Sequence, residues 1–176
     1  MCFRQITKIM RKLLILVAAI LIVSFNPFPV LAQFPFFEMD NPLVGKKAPE
    51  FNPPTLSGQK ISLTQYRAGK SAIIFFWATW CPNCHKRMKE LNESAEQIKN
   101  KGIQVILVDI GENAEVVNSY VKRYKVPYDV FLDEGSKVAE DYNIIGIPTF
   151  FFVGSDGIIK AVEYFIPDDY EKILLR

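Results

Sequence analysis

The chain has 176 residues, 49% of them hydrophobic and 23% charged, which suits one globular domain plus a short leader and excludes a disordered or fibrous protein. The formal charge of +2 belongs to the leader: the first 32 residues hold Arg4, Lys8, Arg11 and Lys12 and no acid, and removing those four from 21 bases leaves 17 against 19 acids, so the body offers no basic surface for nucleic acid. Three cysteines are too few for a disulfide-stapled fold, and one Cys-x-x-Cys with a single histidine, His85, is short of the four ligands of a structural zinc site, so no metal is expected.

Residues 1–12 form a basic segment, Leu13 to Phe25 an apolar run, and Val30-Leu31-Ala32 before Gln33 places small residues where a leader is cut. This is the pattern of a signal peptide over 1–32, and the run falls short of a spanning helix. A signal-anchor, tethering the chain to a membrane through residues 13–25, is the alternative. Cys2 lies in the leader and has no assigned role. Residues 33–43, rich in Pro and Phe and without periodicity, read as a linker to a domain over 44–176.

The domain begins with an extended segment at Pro49-Glu50-Phe51. A turn at Ser57-Gly58 and a partner strand at Lys60 to Leu63 complete a hairpin, and Leu63 to Tyr66 add a short helical turn. Ser71 to Trp77 is a continuous apolar run, as in a strand buried on both faces. A helix follows, with Pro82 at its first position and Cys84, Met88, Leu91, Ala95 and Ile98 on one face down to Asn100. Ile103 to Ile110 is the next strand. The helix Asn113 to Lys125 turns Val117, Tyr120, Val121 and Tyr124 inward and stops before Pro127. A short strand at Asp129 to Leu132 leads to a helix Lys137 to Tyr142 capped by Ser136. Two strands, Thr149 to Val153 and Ile158 to Tyr164, flank the turn Gly154-Ser155-Asp156-Gly157, and Asp168 caps a short final helix.

Strand–helix alternation closed by a hairpin implies an α/β sandwich with a mixed central sheet. Right-handed crossovers put the junction after Trp77 at the carboxyl end of a central strand, where such sheets carry their sites. At that junction stands Trp77-Ala78-Thr79-Trp80-Cys81-Pro82-Asn83-Cys84-His85. Two cysteines three apart at a helix start lie close enough for a disulfide, and the partial positive charge of the helix N-terminus favours a thiolate on the first. The same letters spell Cys-x-x-Cys-His, the attachment pattern of c-type haem, with His85 as axial ligand.

The motif around Cys81 and Cys84, together with Gly146-Ile147-Pro148-Thr149 leading into a strand, resembles the thioredoxin fold. Val44-Gly45-Lys46-Lys47-Ala48-Pro49-Glu50-Phe51, the hairpin and the helix–strand insert around 111–132 narrow the resemblance to exported TlpA/ResA-type thiol–disulfide oxidoreductases of the AhpC/TSA–redoxin superfamily, over residues 44–172. A peroxiredoxin would need Pro and Thr or Ser upstream of its cysteine, where this chain has Ile74 and Ala78.

The resemblance implies a thioredoxin-like three-layer sandwich and an enzyme with no cofactor beyond a redox-active Cys81–Cys84 disulfide. Cys81, at the exposed end of the turn, attacks a substrate disulfide, and Cys84 resolves the mixed disulfide. Pro82 and Asn83 tune the turn. Trp80, Pro82, Ile147 and Pro148 bound the substrate, Pro148 standing where the family has a cis-proline; the plain alternative is a proline opening an edge strand. Where thioredoxins bury an acid for the inner cysteine, this chain has Phe75. Glu112 matches an active-site glutamate of the exported subfamily and is the expected proton acceptor, with Asp109 behind it; Glu112 also suits the start of the 113–125 helix. His85 reads as a solvent-facing helix residue, with a thiolate-favouring role as alternative.

The expected partners are protein thiols and disulfides and a membrane-embedded electron donor. The expected location is the periplasm or another extracytoplasmic, thylakoid-lumen-like space. The expected direction is reduction, serving exported thiol proteins or cytochrome c maturation; an oxidase or isomerase on the same fold is the alternative.

Overall fold

The computed structural model describes residues 41–176, so the leader, most of the linker and Cys2 lie outside the described residues. Five strands form one sheet: β1 (Ala72–Trp77), β2 (Gln104–Ile110), β3 (Val130–Asp133), β4 (Thr149–Val153) and β5 (Ile159–Glu163), in the order β3-β2-β1-β4-β5. β2 runs parallel to β1 and β3, whereas β4 is antiparallel to β1 and β5. The six helices of the described residues are α1 (Leu63–Arg67), α2 (Pro82–Glu93), α3 (Ala95–Asn100), α4 (Ala114–Tyr124), α5 (Lys137–Asp141) and α6 (Tyr170–Leu174).

β1 is the centre of the sheet, and every residue of it is buried. Its alternation divides the core. Ile73, Phe75 and Trp77 face one cluster with Cys84, Met88 and Leu91 of α2, while Ala72, Ile74 and Phe76 face another with Phe131, Tyr142 and Phe151. Phe75 stacks on Phe150, ring centroids 4.2 Å apart and nearly parallel, so the position where an acid would sit holds a phenyl stack.

The amino-terminal hairpin is a single bridge, Pro54 with Lys60, closed by the Thr55 amide on the Gln59 carbonyl. It does not grow into strands because residues 54–56 bond outward. The Leu56 amide donates to Val130 and the Leu132 amide to Pro54, which covers the free edge of β3. At the opposite edge, the amide of Gly45 and the carbonyl of Lys46 pair with Ile159.

Four local expectations differ from the structure. The helix expected down to Asn100 breaks at Ser94 (φ −91°, ψ 1°) into α2 and α3, in a stretch whose Asn92 and Ser94 compete with helical backbone bonds. Ser136 adopts a left-handed conformation (φ 58°) without capping α5; the Asp133 carboxylate instead accepts the amides of Val138 (3.1 Å) and Ala139 (2.8 Å). The residue before α6 is Asp169, not Asp168, and its side chain makes no cap bond. Tyr124 is 47% exposed, because Val117 and Tyr120 already fill the inward face of α4.

Candidate active site

β1 ends at Trp77 and the chain turns into α2 within four residues. Cys81 is the N-cap residue of that 12-residue helix, and Pro82 occupies its first position, where a missing N–H leaves nothing unpaired. Cys81 and Cys84 form a disulfide. The Cys84 amide points at Cys81 Sγ at 3.1 Å, one of the free N–H groups of the helix start. This donor, with the helix dipole behind it, favours negative charge on Cys81 when the bond is opened.

The sulfurs are sheltered. Cys84 is 0% exposed and Cys81 only 4%, less open than a sulfur at the exposed end of a turn. Trp80 stands beside them, 67% exposed. On the other side the Ile147–Pro148 peptide is cis, and the Ile147 carbonyl oxygen lies 3.8 Å from Cys81 Sγ. β4 starts immediately after Pro148 and pairs with β1, so the central strand and its antiparallel neighbour bring the two sequence signatures together across 66 residues.

Glu112 also reaches the motif, by a route not foreseen from the sequence. Gly111 takes a positive φ of 77°, which suits glycine and turns the chain sharply after β2. The half-buried Glu112 then accepts from both the amide (2.5 Å) and the hydroxyl (2.6 Å) of Thr79. Both its oxygens are engaged two residues before Cys81. Asn113, next in sequence, caps α4 by accepting the Val116 amide at 3.1 Å.

Thr79 has a third partner. His85 Nε2 donates to its carbonyl at 2.5 Å, and the imidazole packs against Tyr120 (5.1 Å) and Tyr124 (6.2 Å) on α4. The exposed His85 is thus tied to the turn rather than free in solvent, and the nitrogen that would ligate haem faces backbone. Thr79 as the shared partner of Glu112 and His85 was missed; only its place before the cysteines could have suggested it.

Asp109 is fully buried, 0% exposed, and directly paired with Trp77 across the β1–β2 ladder. Among the described residues neither of its oxygens nor Trp77 Nε1 meets a partner in good hydrogen-bonding geometry, although the backbone and carboxyl of Glu112 stand close enough to act on the Asp109 carboxyl. Burial, then the neighbouring Glu112 carboxyl, pushes its pKa up to about 8. Among the described residues no group of His, Cys, Asp and Glu is arranged to hold a metal ion.

Comparison with known proteins agrees with this geometry. Residues 44–162 match the AhpC/TSA family. The thiol-disulfide oxidoreductase ResA of Bacillus cereus is 35% identical over 153 residues, covering 86% of this chain and 88% of its own length. ResA of Bacillus anthracis is 34% identical over 163 residues, 93% and 92% of the two chains. Among solved structures, the thioredoxin domain of a Bacteroides vulgatus thiol-disulfide oxidoreductase is similar with a TM-score of 0.65 at 28% identity, covering 74% of this chain and 94% of that one. A thiol:disulfide interchange protein of the thioredoxin family from Chlorobium tepidum is similar with a TM-score of 0.63 at 25% identity, covering 73% and 93%. With its sheet order, its Cys81–Cys84 disulfide and these relatives, this chain belongs to the AhpC/TSA family and is a thiol–disulfide oxidoreductase.

Proposed function

We propose that the protein is an exported reductase of protein disulfides, with Cys81 as nucleophile and Cys84 as resolving thiol. The observation that carries this reading is the Cys84 amide on Cys81 Sγ, at a helix start that opens toward the Ile147 carbonyl. In the dithiol form the Cys81 thiolate attacks one sulfur of a substrate disulfide and the other leaves as a thiolate. Cys84 then attacks Cys81, the substrate departs as a second thiol, and the enzyme retains the disulfide. The substrate gains two electrons, which a donor dithiol must replace; a membrane-embedded partner fits an enzyme exported by residues 1–32.

Trp80 and Pro82 on one side and Ile147 and Pro148 on the other form the walls between which an extended substrate segment reaches Cys81. Glu112 serves by holding Thr79, and with it the turn that carries the nucleophile. The substrate class is exported protein thiols, including the cysteine pairs of apocytochrome c that must be reduced before haem attaches. Among the described residues no helix is long and apolar enough to cross a membrane, so a tether would have to come from residues 13–25.

The test is the reduction potential of the Cys81–Cys84 couple, equilibrated against glutathione. A reductase is expected to lie near thioredoxin's value of roughly −270 mV, and a value above about −180 mV overturns the direction. Trapping with Cys84→Ser then identifies substrates, because the mixed disulfide on Cys81 can no longer be resolved.

A further inference from the structure

Each turn of the reaction must remove a proton from Cys84 and later return it, at a sulfur that is fully buried. Phe75, in the strand beneath, is locked in a stack with Phe150 and carries no proton. Glu112 is half-buried and both its oxygens are already used by Thr79. Asp109 is neither. Val105 and Leu107 of β2 face the cluster that contains Cys81 and Cys84, while Ile106 and Val108 face the other side. The alternation of a strand therefore turns Asp109 to the cysteine side. There it sits opposite Trp77 in the ladder, also of that cluster, and neither of its buried oxygens meets a donor in good hydrogen-bonding geometry among the described residues. Buried polar atoms in native proteins are nearly always paired, so a buried carboxyl on the cysteine side of the sheet, with neither oxygen well bonded, calls for a role.

We propose that Asp109 is the internal proton store of Cys84, resting on the reductase reading above. During resolution the Asp109 carboxylate takes the proton of the Cys84 thiol, directly or through one buried water. The Cys84 thiolate attacks Cys81 Sγ, the Cys81–substrate S–S bond breaks, and the substrate leaves as a thiolate that solvent protonates. When a donor dithiol later opens the Cys81–Cys84 bond, Cys84 leaves as a thiolate and recovers its proton from Asp109. Electrons move only between sulfurs, and one proton shuttles inside the protein. Glu112, by contrast, is a positioning residue acting through Thr79.

The surroundings suit a carboxyl that changes state near neutral pH. Burial raises its pKa most, the carboxyls of Glu112, from the turn after β2, and of Asp133, at the end of β3, raise it further, and the Glu112 backbone pulls it down in part. Cys81 and Cys84, at the start of α2, lie on the same side, and Tyr120 of α4, with the tilted His85 ring against it, packs on the Trp77 ring. Among the described residues no cation contributes to holding Asp109 ionised.

The experiment follows a single turnover of the dithiol protein with a peptide disulfide bearing two distinguishable thiols, by stopped flow from pH 5 to 10. The first thiol reports attack by Cys81 and the second reports resolution by Cys84. In Asp109→Asn the second release is expected to slow at least tenfold at pH 7 and to lose its inflection between pH 7 and 9, with the first release changed less than threefold. Asp109→Glu, which keeps the carboxyl, should restore the inflection. A wild-type rate and pH profile for the second release in Asp109→Asn overturns the assignment of Asp109 alone. If the wild type releases neither thiol, the reductase reading fails with it. A carbon-13 NMR titration of the Asp109 carboxyl in the wild type needs no variant. Its inflection should move by at least half a pH unit between the disulfide and dithiol forms, and an identical inflection in both overturns the proposal.

Discussion

A buried acid beside a second carboxyl leaves a mark on stability that can be measured without turnover. Asp109 holds its proton up to about pH 8 in the folded protein, against an ordinary aspartate value of 3.8. Between those limits the folded chain is protonated at this site and the unfolded chain is not, so the unfolded state binds fewer protons and stability falls as pH rises. Below about pH 4 and above about pH 8 the site contributes no slope. At about 1.4 kcal/mol per pH unit the full window has a ceiling of about 6 kcal/mol. Relaxation and water entry reduce such burial penalties well below the ideal figure, which leaves an expected effect of about 2–3 kcal/mol. Asp109→Asn removes the ionisation and nearly keeps the shape. Urea unfolding of the oxidised wild type and the variant at pH 5 and pH 8.5 reads the titration of Asp109 together with its coupling to Glu112, because the remaining titrating groups are common to both proteins. The variant should gain about 2–3 kcal/mol relative to wild type between the two pH values, a midpoint shift of about 1 M urea. A stability difference that is the same at both pH values would refute the reasoning.

Glu112→Gln keeps the shape of the clamp on Thr79 but removes its charge and turns one acceptor into a donor facing the Thr79 amide or hydroxyl. The expected cost is about 1.5–3 kcal/mol, seen as roughly tenfold or faster hydrogen exchange at the Thr79 amide; unchanged exchange would show the clamp to be idle. Phe75→Ala empties one half of the stack with Phe150 in a strand buried along its whole length, and should cost about 3–5 kcal/mol in urea unfolding. A loss under about 1.5 kcal/mol would mean that the core collapses into the space.

Much of the fold was legible because the pattern that encodes it is one-dimensional. The unbroken apolar run ending at Trp77 is the central strand, and the turn residues 154–157 mark the β4–β5 hairpin. Caps were less legible, because a cap depends on which acceptor is nearest in space. Asp133 lies four residues before α5 and takes the amides that Ser136 was expected to serve, since the Ser136 backbone is turned away in a left-handed conformation. The hairpin at Pro54 was legible in its turn but not in its partner, which is β3, more than seventy residues on. At the site, the cysteines and Pro148 could be read as letters. Thr79 could not, because its importance comes from two side chains that converge on it from α2 and from the turn after β2.

The two sulfurs of the pair are unequal for a physical reason that runs through the whole sheet. Cys81 caps a helix and receives an N–H, so its charge is met by dipoles that are already in place when the bond opens. Cys84 is packed with Met88 and Leu91 above β1, where any charge must be met by something brought from the sheet. A cation there would hold Cys84 as a permanent thiolate, and an apolar wall would hold it as a thiol, so either would stall one direction of the exchange. A carboxyl that can carry or release a proton near neutral pH serves both directions. Placing it on β2 rather than beneath the cysteines on β1 has a consequence for packing. It frees the Phe75 position for the stack with Phe150 that ties β1 to β4, the strand that begins at Pro148 and sets the Ile147 carbonyl opposite Cys81.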